Sequence, residues 1–197
     1  MPRHPAPFAR SDTPPAAPSP LQPFYFESKL DELIASLKDA PVARALVLCS
    51  SSATVERVAR ELEEALKDPN RAKSTQVLSF HGSLPADKRS VALELFRRPP
   101  ASTGATGEHN NAPPPRVLVA TGRAVRGLEL AQDETPVEHV VLFEFPPDAK
   151  AYIARVGCAS RGCRRPARVT ALAVGKQLPF ARAMLAHDEA GEQAFVD

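Results

Sequence analysis

Five short apolar runs alternate with longer stretches in which apolar residues recur every three or four positions. The runs are RALVLCS (44–50), QVLSF (76–80), RVLVA (116–120), EHVVLFEF (138–145) and RVTALAV (168–174). Apolar runs without strict polar alternation are typical of strands that are buried on both faces, as in a parallel sheet. The runs therefore predict five strands, and the longer stretches predict helices.

The predicted helices are recognisable by the spacing of their apolar residues. In the segment 26–40, the side chains of Leu30, Leu33 and Leu37 fall on one helix face. Comparable segments cover 52–68, 81–98, 147–157 and 178–188. Strands that alternate with helices form βαβ units, so we predict one doubly wound α/β domain with a central, mostly parallel sheet flanked by helices.

Residues rich in hydroxyl groups, glycine and arginine follow four of these runs. They are CSSS (49–52), HGS (81–83), ATGRAVRG (120–127) and EFPP (144–147). Ligands bind at the carboxyl ends of the strands in sheets of this kind, and phosphate oxygens accept hydrogen bonds from hydroxyls, glycine amides and arginines. The pattern predicts a phosphate-binding edge. Serine, threonine and glycine also cap helices and form turns, so this second interpretation stays open.

Proline is distributed unevenly along the chain. The sequence has 21 prolines, and they crowd into residues 2–23 and 99–115. Because this composition cannot pack a core, we expect an extended arm over 1–23, a flexible insertion over 98–115 and a tail over 188–197. The alternative for the proline-rich segments is that they become ordered against a protein or RNA partner in a larger assembly.

Charge, cysteine content and hydropathy indicate which partners and which cellular compartment to expect. The formal net charge is +2, which is too small an excess to establish a nucleic-acid partner. Three cysteines without paired spacing argue against disulfides and against a metal site. They favour a reducing intracellular compartment, either the cytoplasm or an organelle such as the mitochondrion. No apolar run approaches the roughly 18 residues of a membrane-spanning helix, so we expect no membrane partner.

Residues 24–187 resemble, in order along the chain, the C-terminal RecA-like domain of the DEAD-box RNA helicases. The resemblance rests on RALVLCSS, SFHGSLPADKRSVALELFR, VLVATGRAVRGLEL and VVLFEFPPDAKAYIARVGCASRGCRR. It implies a RecA-like fold and an RNA backbone, single-stranded or ribosomal, as the partner. The implied RNA-binding residues are Ser51, Gly82, Arg89, Thr121 and Gly122.

The segment ATGRAVRGLEL departs from the family pattern at two positions. Gly122 stands where the family has an aspartate, and Glu129 stands where it has an aspartate near the ATP ribose. Arg126 and Gly127 match the family pattern, and the resemblance places them with Glu129 on the cofactor side. A further replacement is Glu144, which also stands for an aspartate.

The segment YIARVGCASRGCRR resembles the family's HRxGRxxR motif, with two losses. Arg155 and Arg161 retain two of its arginines, which implies an inter-domain, ATP-facing role for Arg155 and a residual arginine finger at Arg161. Ala154 replaces the histidine, and Cys158 replaces the second arginine. An arginine finger accelerates phosphoryl transfer by roughly 10³–10⁵. A cysteine carries no such positive charge, so the motif predicts that fast ATP hydrolysis is lost.

Two patterns of the family's first RecA-like domain, a glycine-rich phosphate loop and the Asp-Glu-Ala-Asp box, do not occur in this sequence. We therefore expect no cofactor on this chain alone, and ATP with Mg²⁺ only when a first RecA-like domain completes the site. The favoured hypothesis is a non-catalytic helicase-like module that binds RNA backbone or protein partners in a large ribonucleoprotein complex. The alternatives are the C-terminal half of an active RNA helicase and a pure protein-interaction scaffold.

Overall fold

A computed structural model describes residues 22–39, 42–67, 74–98, 114–126, 128, 130, 136–160 and 167–189. Within these ranges the strands are β1 (Arg44–Cys49), β2 (Gln76–Phe80), β3 (Arg116–Thr121), β4 (His139–Leu142) and β5 (Arg168–Ala171). They form a parallel sheet in the order β2-β3-β1-β4-β5. The predicted parallel α/β fold is confirmed.

Helices cover both faces of this sheet. They are α1 (Gln22–Asp39), α2 (Ser52–Ala65), α3 (Ala86–Arg97), α4 (Ala149–Ser160) and α5 (Leu178–Glu189). The helices α1 and α2 pack on one face, and α3, α4 and α5 pack on the other. The strand β1 lies at the centre, and all six of its residues are buried. Burial on both faces explains why its sequence shows no polar alternation.

Alternate residues of β1 enter different cores. Ala45, Val47 and Cys49 belong to the cluster that also contains the buried leucines of α1 and the valines of α2. Leu46 and Leu48 belong to the cluster with the buried residues of α3, α4 and α5. The two clusters on either side of one sheet make the domain a three-layer sandwich.

The boundaries of several predicted segments differ from those in the structure. The helix α1 begins at Gln22, so the last two residues of the segment predicted to be extended, 22–23, are helical. Proline fits there because the first N–H groups of a helix have no intrahelical acceptor. The helix α5 continues to Glu189, past the predicted start of the tail at 188. The helix α3 begins at Ala86, directly after Pro85, and not at the predicted start of the segment 81–98.

Both ends of the predicted insertion are attached to the domain. Arg98 caps the end of α3, and its carbonyl accepts a hydrogen bond from Nη1 of Arg116. At the other end, the carbonyl of Pro115 accepts from the amide of Gln76 at 2.8 Å. Residues 99–113 lie outside the described part of the chain.

Positively charged residues and a histidine line up where the strands begin. Arg44 pairs with Arg116 in the register of β1 and β3, and His139 pairs with Arg168 in the register of β4 and β5. Arg44, Arg116 and His139 are buried. Burial and the neighbouring charge of Arg44 lower the pKa of Arg116. At this amino-terminal edge three of the charged and polar residues are buried, whereas residues at the carboxyl ends of the strands, such as Ser50 and Ser51, are exposed.

No helix in the described ranges combines the length and apolar content that crossing a lipid bilayer requires.

Candidate nucleic-acid interface

The strand register brings the predicted phosphate-binding residues into one row. Phe80 pairs with Ala120, and Cys49 pairs with Thr121, so β2, β3 and β1 end side by side. The residues that follow these strand ends include Gly82, Gly122 and Ser51. The edge that sequence analysis predicted from separate segments is therefore one continuous surface.

Ser51 lies at the start of α2 and is exposed. Its Oγ accepts a hydrogen bond from the amide of Thr54 at 3.1 Å, which makes Ser51 the N-cap of the helix. Its Oγ also lies 2.9 Å from Oγ1 of Thr54. The capping interpretation is thus correct for this residue, and it is compatible with ligand binding because the hydroxyl proton is not needed for the cap.

The end of β2 presents a glycine beside a buried histidine. Nε2 of His81 lies 2.6 Å from Oε1 of Glu56 on α2, and His81 is buried. Gly82 is exposed, and a Cβ built on it would meet nothing within 4 Å. Arg89 follows on α3, where its amide donates to the carbonyl of Pro85 at 3.0 Å. His81 is therefore a packing residue, and the groups that a ligand can reach at this end are Gly82 and residues of α3 such as Arg89.

The end of β3 holds the closest contact of this surface. A Cβ built on Gly122 would lie 3.0 Å from Nε and 3.3 Å from Cγ of Arg155. Nη1 of Arg155 donates to the carbonyl of Glu144 at 2.7 Å. The arginine of α4 thus lies across the end of β3 and reaches the end of β4. A side chain at position 122 would press on that of Arg155, which would have to shift by a few tenths of an ångström, whereas Gly122 leaves the path of Arg155 open. Next to it, Oγ1 of Thr121 accepts from the amide of Ala124 at 3.3 Å.

Glu144 connects the ends of β4 and β1. The amide of Ser50 donates to Oε2 of Glu144 at 2.5 Å. Nearby, Nζ of Lys29 on α1 donates to the carbonyl of Phe143 at 3.1 Å. Sequence reasoning assigned no role to Glu144 or Lys29. The segment EFPP (144–147) had placed Glu144 at this edge, and only its contact with Ser50 was not predicted.

Burial shifts three pKa values at this edge. It raises the pKa of the Cys49 thiol, and the charge of Glu144 adds to this effect. It lowers the pKa of Lys29 and of Arg155, and the charge of Glu144 opposes the shift in both. The charge of Arg126 also lowers the pKa of Arg155, so these two arginines lie near enough to interact. Lys29, Arg126 and Arg155 thus lie near the carboxylates of Glu144 and Asp148 at this edge.

The remaining predicted residues fall partly within the described ranges and partly outside them. Ala154 lies on α4, half-buried, and Arg126 is exposed in the turn after β3. The backbone of Cys158 belongs to α4, whereas its side chain is not described. Gly127, Glu129 and Arg161 lie outside the described residues. Their predicted roles remain predictions.

In the described part of the chain, no group of three or more histidine, cysteine, aspartate or glutamate side chains could hold a metal ion. Cys49, which is buried, is a free thiol.

Residues 28–163 match the family model described as the helicase conserved C-terminal domain. The parallel sheet, its helical layers and this match place the chain in the class of helicase C-terminal, RecA-like domains. The chain belongs to that family, and its curated relatives are DEAD-box RNA helicases. The predicted resemblance is therefore confirmed at the level of family and fold.

Two plant proteins illustrate the relationship. DEAD-box ATP-dependent RNA helicase 50 of Arabidopsis thaliana is 32% identical over 167 residues, covering 84% of this chain and 19% of the relative. The protein of the same name from Oryza sativa subsp. japonica is 30% identical over 161 residues, covering 81% of this chain and 22% of the relative. The chain thus spans about a fifth of the length of these curated relatives.

Solved structures share the fold. The structure of S. cerevisiae Dbp5 bound to RNA and ADP BeF3 has a TM-score of 0.58 and 17% identity, and the match covers 85% of this chain and 37% of that one. Domain 2 of the DEAD-box helicase Mss116p, bound to an RNA duplex, has a TM-score of 0.57 and 18% identity, with 84% and 56% covered. At these identities the likeness establishes the fold alone.

Proposed function

We propose that this chain binds the sugar–phosphate backbone of RNA at the carboxyl edge of its sheet. The observation that carries the proposal is the continuous row formed by Ser51, Gly82 and Thr121, with Arg89 on the adjoining helix. Hydroxyls, a bare glycine and arginines together suit phosphate oxygens, which accept several hydrogen bonds at once. RNA bound to domain 2 of Mss116p, a structure of the same fold, supports RNA as the phosphate source.

In this proposal the chain has no ATPase activity of its own and works within a larger ribonucleoprotein assembly, in a reducing compartment. Cys158 stands where the family has an arginine finger, and the phosphate loop and Asp-Glu-Ala-Asp box do not occur in this sequence. The proline-rich segments 1–23 and 98–115 are composed like extensions that contact partners. ATP and Mg²⁺ would enter only with a first RecA-like domain.

Binding of a fluorescent single-stranded RNA, followed by anisotropy over a salt series, tests the RNA proposal. Affinity should fall steeply with salt because phosphate contacts release counterions. Arg89→Ala should weaken binding about tenfold and reduce the log–log salt slope by about one, since it removes one phosphate contact. Thr121→Val should weaken binding without changing the slope, because it removes a hydroxyl and no charge.

Arg60→Ala is the matched control, since Arg60 is an exposed arginine on α2 that pairs only with Glu61 among its described salt bridges. It removes the same charge away from the edge and should leave the affinity nearly unchanged. An RNA affinity that does not change with salt, with Arg89→Ala or with Thr121→Val would instead support the protein-interaction scaffold.

ATP hydrolysis separates the proposal from the helicase-half alternative. We expect no RNA-stimulated turnover when the chain is mixed with, or fused to, the first RecA-like domain of a DEAD-box relative. The measurement is phosphate release with and without RNA, and the intact relative serves as the positive control. Turnover that appears in the fusion and is lost on Arg161→Ala would establish the chain as the second half of an active helicase.

A further inference from the structure

The carboxylate of Glu144 continues the pairing of β1 and β4 beyond their last backbone contact. The amide of Phe143 donates to the carbonyl of Leu48 at 3.0 Å. The next amide on the β1 side, that of Ser50, has no backbone acceptor in the described part of the chain and donates to Oε2 of Glu144 at 2.5 Å. A side chain thus replaces the strand as hydrogen-bond acceptor at the point where the chain turns toward Ser51.

The same glutamate is part of a closed series of contacts across the edge. Its backbone carbonyl accepts from Arg155, and Arg155 lies against Gly122. The amide of Gly122 donates to the carbonyl of Cys49 at 3.3 Å, one residue before Ser50. The ends of β3, β1 and β4 are therefore connected through Glu144 and Arg155.

We propose that Glu144 is a positioning residue for RNA binding, which fixes the turn of Ser50 and Ser51 by accepting the Ser50 amide. The inference rests on the proposed function, because Ser51 is one of the residues assigned to the RNA backbone. The Oγ of Ser51 also accepts a hydrogen bond from the amide of Thr54, which fixes the side chain of Ser51 at the start of α2. The carboxylate and the cap together determine where the Ser51 hydroxyl lies.

The contact between Glu144 and Ser50 lies at the surface, so its effect on RNA binding can be tested without unfolding the chain. Ser50 and Ser51 are exposed, so water can take over the amide of Ser50 when the carboxylate is removed. The buried residues on both faces of the sheet are left in place. Glu144→Ala should therefore still fold, with a less ordered turn and some loss of stability, because Lys29 and Arg155 lose a compensating negative charge.

Two substitutions separate the acceptor from the charge. Glu144→Ala and Glu144→Gln both remove one negative charge from a surface that meets phosphate, so both change the electrostatic attraction equally. Glutamine keeps a carbonyl oxygen of similar reach that can accept the Ser50 amide, whereas alanine does not. The ratio of the RNA dissociation constants of the two variants therefore reports the acceptor alone.

Glu138 supplies a control of the same chemistry at the opposite edge. Its Oε2 accepts the amide of Ala43, just before β1, at 2.6 Å. Glu138→Ala and Glu138→Gln repeat the two changes at the amino-terminal end of the strands. The RNA dissociation constants of these two variants should be equal.

The experiment measures single-stranded RNA affinity and hydrogen exchange of the Ser50 amide by NMR in the full chain. We expect RNA binding of Glu144→Ala to be about fivefold weaker than that of Glu144→Gln, the factor that one net hydrogen bond supplies. The Ser50 amide should exchange slowly in the wild-type chain and in Glu144→Gln, and quickly in Glu144→Ala.

Three other outcomes of this experiment would each contradict a different part of the proposal. Equal affinities of the two Glu144 variants, with normal RNA binding by the wild-type chain, overturn the positioning role and leave the RNA proposal intact. Fast exchange of the Ser50 amide in the wild-type chain overturns the contact itself. A wild-type chain that does not bind RNA overturns the proposed function and, with it, the role in RNA binding.

Discussion

Lowering the pH from 7 to 4 is expected to remove about 3 kcal/mol from the free energy of unfolding through His139 alone. His139 is completely buried at the start of β4. Burial, with a smaller contribution from the charge of Arg168, lowers its pKa from 6.5 to about 4. The folded chain therefore resists protonation of a histidine that the unfolded chain protonates readily.

The direction follows from which state binds the proton first. With a folded-state pKa below the unfolded value, the stability from neutral His139 is complete above about pH 6.5. It falls as the pH drops from 6.5 to about 4, because only the unfolded chain gains the proton. Below that pH both states bind the proton, and this contribution falls no further.

Urea unfolding of the wild-type chain and of His139→Gln between pH 7 and pH 4 measures the effect. Glutamine is neutral and can donate to Oγ1 of Thr170, the atom 2.9 Å from Nε2 of His139. All other titrating groups are the same in the two proteins, so their pH-dependent contributions cancel when the two free energies of unfolding are subtracted. The stability difference should shift by about 3 kcal/mol in favour of the variant on acidification. A difference that does not change with pH would contradict the prediction, and NMR titration of the His139 ring checks the pKa directly.

Phe96→Ala is expected to lower the free energy of unfolding by about 4 kcal/mol. Phe96 is fully buried near the end of α3, and Ala92 is the other buried residue of this helix. The guanidinium of buried Arg44 lies 4.4 Å from the centre of the Phe96 ring. The substitution therefore leaves a cavity, removes the main anchor of α3 and takes away an aromatic face from a buried cation.

Phe96→Leu is the matched comparison, because it keeps most of the apolar volume and loses the ring that faces Arg44. It should cost about 1–2 kcal/mol, and urea or thermal unfolding measures both variants. Equal losses for alanine and leucine would show that the ring face, and not the filled volume, provides the stabilisation. Losses below about 1 kcal/mol for alanine would contradict the assigned anchor role.

Much of the fold could be predicted from local patterns. The run RALVLC coincides with β1, whose residues are all buried, so apolar residues without polar alternation mark it correctly. The run QVLSF coincides with β2, an edge strand in which only Val77 and Phe80 are buried. The run EHVVLFEF predicted a longer strand than the observed His139–Leu142. Its last residues are apolar for a different reason, since Phe143 and Phe145 are buried after the strand has ended. Apolarity reports burial, and burial does not require a strand.

The candidate site was only partly predictable. That strands end at a common edge follows from parallel order, so the order of the segments was enough to assign Ser51, Gly82 and Thr121 to one surface. That Arg155 turns inward across Gly122 to the carbonyl of Glu144 could not be predicted, because residues more than 10 positions apart make these contacts through side chains. Sequence analysis placed Arg155 toward ATP; the structure describes its contacts within the chain.

By itself, the sequence determined the class of fold, the order of its elements and the chemical character of the edge, since each depends on burial patterns and residue types that repeat locally. The tertiary structure alone decided which groups meet there. The hydrogen bond of Ser50 to Glu144 at this edge, and the burial of His139 beside Arg168 at the opposite edge, arise from residues distant in sequence. Their energies depend on distance and burial, and a linear pattern specifies neither.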